Sequence, residues 1–282
     1  MNLKKTISKI PIVRSICAFG YRFYLIVSEI SKKIYFSFIW LFKSKETTNF
    51  SSYDLTEINK KYLAQTISYV TQKPYDLILK YFSEIENDDK LKLHIKITTQ
   101  KNSERYRCDE KVYFARKIGW YAIVRAIKPK IIVETGVDKG LGSCILIAAL
   151  MKNKEEGFVG YHYGTDINPK AGYLIAGEYS KYSKILYGDS IKSLKKFNKK
   201  IDLFINDSDH LEGYEYKEYI AIKDKLTKNA IILGNSSHWS TDLFTFSLNF
   251  GRQFLYFSEI PKKHWRAGGG IGFSYKQDIG KK

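Results

Sequence analysis

The run Ile131-Ile132-Val133-Glu134-Thr135-Gly136 constrains the fold of this 282-residue chain more than any other feature. Three β-branched residues make a short apolar strand, an acid follows, and a glycine turns the chain into a helix-patterned stretch from Gly140 to Met151. Short apolar runs and helical stretches then keep alternating. Tyr161 to Thr165, Ile185 to Tyr187, Ile201 to Asn206 and Ala230 to Gly234 are predicted strands, and a helix is predicted from about Gly213 to Leu226. Thr241 to Asn249 gives a further helix and Gln253 to Phe257 a sixth strand. Ile271 to Tyr275, after Gly268-Gly269-Gly270, is a last strand paired as a hairpin partner. This texture predicts an α/β fold with a mostly parallel sheet and an antiparallel last strand.

Pro129 marks a change of texture, so residues 129–282 form one predicted domain. Residues 51–128 form a helical N-terminal or cap region. Within it, Leu55 to Val70 and Tyr75 to Ile85 have helical spacing and are separated by Lys73-Pro74. Leu91 to Thr99 alternates and predicts a strand or an extended arm, and a lid formed by Leu91 to Arg107 stays open. Val112 to Ile127 is a predicted helix with Tyr113, Trp120, Ile123, Val124 and Ile127 on one side. Ser44 to Ser52 is polar and reads as a linker.

Residues 1–50 hold nine Lys or Arg against two Glu, interleaved with the apolar runs Phe23 to Val27 and Ile34 to Phe42. Each run falls short of the roughly 20 residues that a membrane-spanning helix needs. Glu29, Lys32 and Lys33 are expected to keep the two apart, and no small-residue cleavage site follows them. Cation-flanked aromatic runs suit a segment at a membrane interface, and equally an arm packing on the domain or on a second subunit. The net charge of +18 suits an anionic partner, and suits equally a general compositional bias. Cys17, Cys108 and Cys144 have no disulfide or zinc spacing, which fits a reducing, cytoplasmic compartment.

Four strand ends carry the candidate chemistry. Glu134 to Ser143 is a glycine-bearing loop before a helix N-terminus, whose free N–H groups face a polar ligand. The acid there would repel a pyrophosphate but suits a cationic ligand. Asp166 ends the next strand, where a carboxylate accepts from ribose hydroxyls or caps a helix. Asp189, in Gly188-Asp189-Ser190, has the same two roles open, an adenine-side acceptor or the cap of the helix Ile191 to Phe197. Asn206-Asp207-Ser208-Asp209-His210 ends the fourth strand, where such sheets bind ligands. Asp207 is a candidate to orient substrate or hold a divalent cation, and His210 is the candidate general base near neutral pH.

The ordered set resembles class I S-adenosylmethionine (SAM) methyltransferases, which implies a Rossmann-like sheet; the helical N-terminal extension is read from the spacing before Pro129, and the resemblance does not cover residues 1–100. The stretch Arg116 to Lys276 more narrowly resembles bacterial small-molecule and sugar O-methyltransferases. It shares with them Asn206 to His210, Tyr214 and Tyr216, Gly234-Asn235-Ser236-Ser237-His238, and Trp265 with Gly268 to Gly272. The resemblance implies SAM held by Glu134, Gly136, Gly140, Ser143, Asp166, Asp189 and Ser190. It implies methyl transfer to a hydroxyl of a sugar, glycan or other small molecule, with His210 as base and Asp207 aligning the acceptor. Metal-dependent relatives hold magnesium through the strand-four Asp and a later Asp-Asn pair. Here Asn235-Ser236 replaces that pair, so a site on Asp207 and Asn235 lacks one carboxylate. Two other readings remain: a nucleic-acid methyltransferase, and a non-catalytic SAM-fold binding protein at a membrane. Expected partners are the acceptor, an anionic membrane surface contacted through residues 1–50 at its inner, cytoplasmic face, and a second copy of the chain.

Overall fold

The computed structural model describes residues 11–46, 52–103, 105–209, 211, 213–235 and 237–276. Its strands are β1 (Ile131–Thr135), β2 (Tyr161–Asp166), β3 (Ser183–Tyr187), β4 (Ile201–Asn206), β5 (Leu226–Gly234), β6 (Gln253–Ser258) and β7 (Gly270–Tyr275). They form one sheet in the order β3-β2-β1-β4-β5-β7-β6. Strands β1 to β5 are parallel, and β7 inserts antiparallel between β5 and β6. The chain winds outward from β1 to β3 and then returns to lay β4 on the other side of β1. The carboxyl ends of β1 and β4 therefore flank the switch point at which sheets of this kind bind ligands.

The helices are α1 (Pro11–Lys43), α2 (Glu57–Thr71), α3 (Tyr75–Glu86), α4 (Asp89–Lys101) and α5 (Lys117–Ile127), then α6 (Leu141–Glu155), α7 (Ser190–Lys196), α8 (Tyr214–Ile222) and α9 (Asp242–Asn249). Strand periodicity sends Ile132, Leu203, Ile205 and Ile231 into a core shared with α2, α3, α5 and α6. Val133, Phe204 and Ile232 point the other way, into a core with α7, α8 and α9. Helix α6 is buried from Gly142 to Leu150 because the sheet lies on one side and α5 on the other.

Two expectations are corrected. Leu91 to Thr99 is neither strand nor extended arm but the body of α4, started by Asp88, which accepts from the Leu91 amide at 2.9 Å. Only Leu91, Ile95 and Thr99 are buried in it, a four-residue spacing; Leu93 and Ile97, which created the alternation, are exposed. The two apolar runs before Ser44 lie on one helix, α1, in which Glu29, Lys32 and Lys33 still separate them. The helix expected from Val112 begins only at Lys117. Ala115 just before it has φ +46° and gives its N–H to the Tyr53 carbonyl, which breaks the helical path.

Candidate active site

Strand β1 delivers Glu134, and Gly136 lets the loop behind it close on β4. Gly136 has φ +78°, and a Cβ there would lie 2.0 Å from the Asp207 carbonyl oxygen. The Asp207 amide in turn donates to the Thr135 carbonyl at 2.9 Å. Glu134 is buried, and its carboxylate accepts from the Ser143 hydroxyl and from His162 Nε2 at 3.0 Å. His162 is fixed on its other nitrogen by the Ser183 hydroxyl at 2.8 Å. Helix α6 can approach this carboxylate because residue 142 is glycine: a Cβ would meet Glu134 Oε1 at 2.7 Å and the Trp120 ring at 2.6 Å.

A cavity of about 300 Å³ opens against this loop. Its floor includes Glu134, Gly136, Asp138, Asp207 and Asn235, and its far wall is Ile95 and Thr99 of α4 with Val112 and Tyr113. Glu46 closes one side, pairing with Lys139 of the loop at 2.5 Å and accepting from the Asp109 amide at 2.9 Å. Of the predicted cofactor and metal residues, the structure brings Glu134, Gly136, Asp207 and Asn235 to this cavity. Gly140, Ser143, Asp166, Asp189 and Ser190 do not line it. Gly140 starts α6 at φ +94°. Asp166 accepts from the amides of Asp138 and Asn168, both at 2.8 Å, and so shapes the loop. Asp189 caps α7 through the Lys192 amide at 2.7 Å, and Ser190 meets the Tyr214 hydroxyl at 2.9 Å. His210 and Ser236 lie outside the described residues.

Around Asp207 stands a set of residues that sequence reasoning missed. Lys117 Nζ lies 3.1 Å from Asp207 Oδ2 and 4.0 Å above the Trp120 ring. The Asn235 amide donates to Asp207 Oδ1 and accepts from Arg116 Nε at 2.5 Å. Arg116 is buried and paired with the buried Glu259 at 2.6 Å. Burial works against the Arg116 charge, but Glu259 and Asp207 outweigh it and hold the guanidinium above its ordinary pKa. Glu259 also accepts from the Arg116 and Gly269 amides, at 2.9 Å each, and from the Tyr53 hydroxyl at 3.0 Å. A signal for Arg116-Lys117 emerges only with the helix start at Lys117, because the helix expected from Val112 hides both cations in its interior. Two cations open a helix with no acid in its first turn, against the helix dipole, which favours anions there.

This donor set does not fit a hard cation. Both Asp207 oxygens already face N–H donors, one of them an ammonium, and Asn235 turns its NH₂ rather than its oxygen toward Asp207. Among the described residues no three His, Cys, Asp or Glu converge as metal ligands. The cavity does fit the aminoacyl end of a cationic cofactor: Glu134 supplies negative charge beside the close-packed glycine turn.

Behind β1 and β4, Glu218 of α8 is fully buried and accepts from Thr135 at 3.1 Å, Ser208 at 2.9 Å and the Asn206 side-chain amide. Burial raises its pKa to about 7 against these stabilising hydroxyls. Its Oε1 has no hydrogen-bond partner among the described residues.

The sheet order, the glycine loop and the cavity at the switch point define a Rossmann-like α/β domain with its ligand site at the carboxyl edge. The family model described as a methyltransferase domain matches residues 133–237, from within β1 to just past β5. Residues 133–237 thus match a methyltransferase domain, the class that the motifs there resemble. Among solved structures, the O-methyltransferase TomG from Streptomyces achromogenes, in complex with SAM, is 10% identical over 67% of this chain and 90% of its own, with a TM-score of 0.50. The SAH-bound methyltransferase PaMTH1 from Podospora anserina is 18% identical over 67% and 88%, with a TM-score of 0.48. An O-methyltransferase from Bacillus cereus in complex with SAH is 11% identical over 77% and 97%, also at 0.48. No curated protein sequence matches the chain significantly.

Proposed function

We propose that the chain is a SAM-dependent O-methyltransferase acting on a hydroxyl of a sugar, glycan or other small molecule. The observation that carries this reading is the cavity in which the Glu134–Gly142 loop faces Asp207 across the Gly136 contact. When bound, SAM supplies an electrophilic methyl group on a sulfonium. Glu134 and the loop amides hold its aminoacyl end, while Asp166 and Asp189 serve its nucleoside side. Asp207, fixed by Lys117 and Asn235, orients the acceptor hydroxyl, and the Lys117 ammonium stabilises the charge that develops on that oxygen. His210, three residues beyond Asp207, takes the hydroxyl proton. Ile95, Val112 and Leu174 line the cavity with apolar surface that excludes water.

Isothermal titration of the full chain with SAM tests the cofactor claim. Asp166→Ala is expected to lose most of the binding heat, and a wild-type chain that binds no SAM overturns the reading. His210→Ala should bind SAM and lose turnover; retained turnover removes His210 as the base. Asn235, where relatives carry an acid, favours a second reading as a SAM-binding protein without turnover. Methyl transfer to any acceptor would exclude it.

A further inference from the structure

Helix α1 leaves the domain with almost none of its surface covered. Only its last two turns touch the body of the protein: Trp40 donates to the Ser52 hydroxyl at 3.1 Å and meets the Trp265 ring edge-on at 5.8 Å. Phe36 and Ile39 lie beside Tyr53 and His264. Ahead of them Ile12, Ile16, Phe19, Phe23, Ile30 and Ile34 are all exposed, from 48% to 71%. Apolar surface of that extent on a soluble domain marks an interaction site.

The charges of α1 are sorted. At 3.6 residues per turn, Arg14, Arg22, Glu29, Lys32, Lys33 and Lys43 all fall within an arc of about 100°. Phe36 and Trp40, which hold the helix to the domain, fall in the same arc. The opposite side, on the order of 200° wide, carries Ile12, Ile16, Phe23, Ile30 and Ile34 and no charge, and it points away from the protein. No helix among the described residues is long and apolar enough to cross a membrane.

We infer that α1 lies in the plane of an anionic lipid surface, its charge-free face among the acyl chains and its five cations among the headgroups. Charge complementarity selects lipid over a second copy of the chain. A copy would bring the same five cations with their single Glu29, whereas an anionic bilayer neutralises them. The bound helix would also be wired to the site. Past Lys43, the Ser44 hydroxyl and the Lys45 amide both donate to Asp109 at 2.7 Å, and Glu46 reaches Lys139 of the glycine loop. This surface claim stands whether or not the methyl-transfer reading holds, because its test reads binding alone.

The full-length chain is sedimented with phosphatidylcholine vesicles, with and without phosphatidylglycerol. The wild type is expected to partition at least about tenfold more strongly into the anionic vesicles, with binding weakened by salt. Phe23→Asp with Ile30→Asp should abolish partitioning while leaving the far-ultraviolet circular dichroism melt unchanged, since neither side chain is buried. A polarity-sensitive dye on Cys17, which is exposed while Cys108 and Cys144 are buried, should shift to the blue with the same vesicles. Equal partitioning of wild type and double variant overturns the proposal. So does a wild type that ignores both vesicle types but self-associates in sedimentation velocity until the two aspartates are introduced; the face would then join two copies.

Discussion

Arg116 can only donate hydrogen bonds and the Asp207 carboxylate can only accept them, so the residue between them must do both. Asn235 does so, and its amide orientation follows from those two neighbours. An aspartate there would still satisfy Arg116 but would face Asp207 with like charge. Asn235→Asp is therefore expected to lower stability by about 1–3 kcal/mol, with magnesium restoring part of it. The wild-type melting temperature should be indifferent to magnesium and to EDTA, and calorimetry in the two conditions checks both. Glu218 belongs to the same scale. Its pKa rises from the ordinary 4.5 to about 7 through burial. The folded state therefore binds this proton more tightly than the unfolded chain. That contribution is complete below about pH 4.5 and is lost as pH rises through 7, a swing of about 3 kcal/mol. Melts at pH 5 and pH 8 should separate by less in Glu218→Gln than in the wild type.

Helix α5 shows how an element can be shaped by its site at the expense of local preference. Its first turn carries two cations and no acid, unfavourable beside the helix dipole, and both cations find carboxylates on other elements. Lys117→Met keeps the stem over Trp120 but removes the charge beside Asp207. The expected result is a kcat lower by about 10-fold to 100-fold, with the dissociation constant for SAM little changed; single-turnover kinetics with titration separates the two. Helix α4 makes the complementary point. Its sequence offers both a two-residue and a four-residue repeat, and packing of Leu91, Ile95 and Thr99 chose the latter.

The whole molecule divides into a folded body and a projecting helix. The core residues run from Tyr53 to Tyr275, and none belongs to α1. Removing residues 1–35 should consequently shift the melting temperature by no more than about 3 °C, which differential scanning calorimetry would detect. For the same reason, substitutions on the exposed face of α1 are expected to leave the domain folded.

What the sequence determined by itself was the sheet and its glycine loop. Strand runs, an acid and Gly136 are local signals, because period and turn chemistry act over a few neighbouring residues. It also brought out Asp207 and Asn235 as candidates, through motifs at strand ends. Tertiary structure alone decided what those residues face. Lys117 lies 90 positions from Asp207, Arg116 143 from Glu259 and His162 28 from Glu134. No local pattern links such pairs; the sheet order that lays β4 against β1 brings the first together. The charge sorting on α1 was likewise present in the sequence from the start. Which side of it met the protein, and which was left open, depended on where Trp40 found its partners.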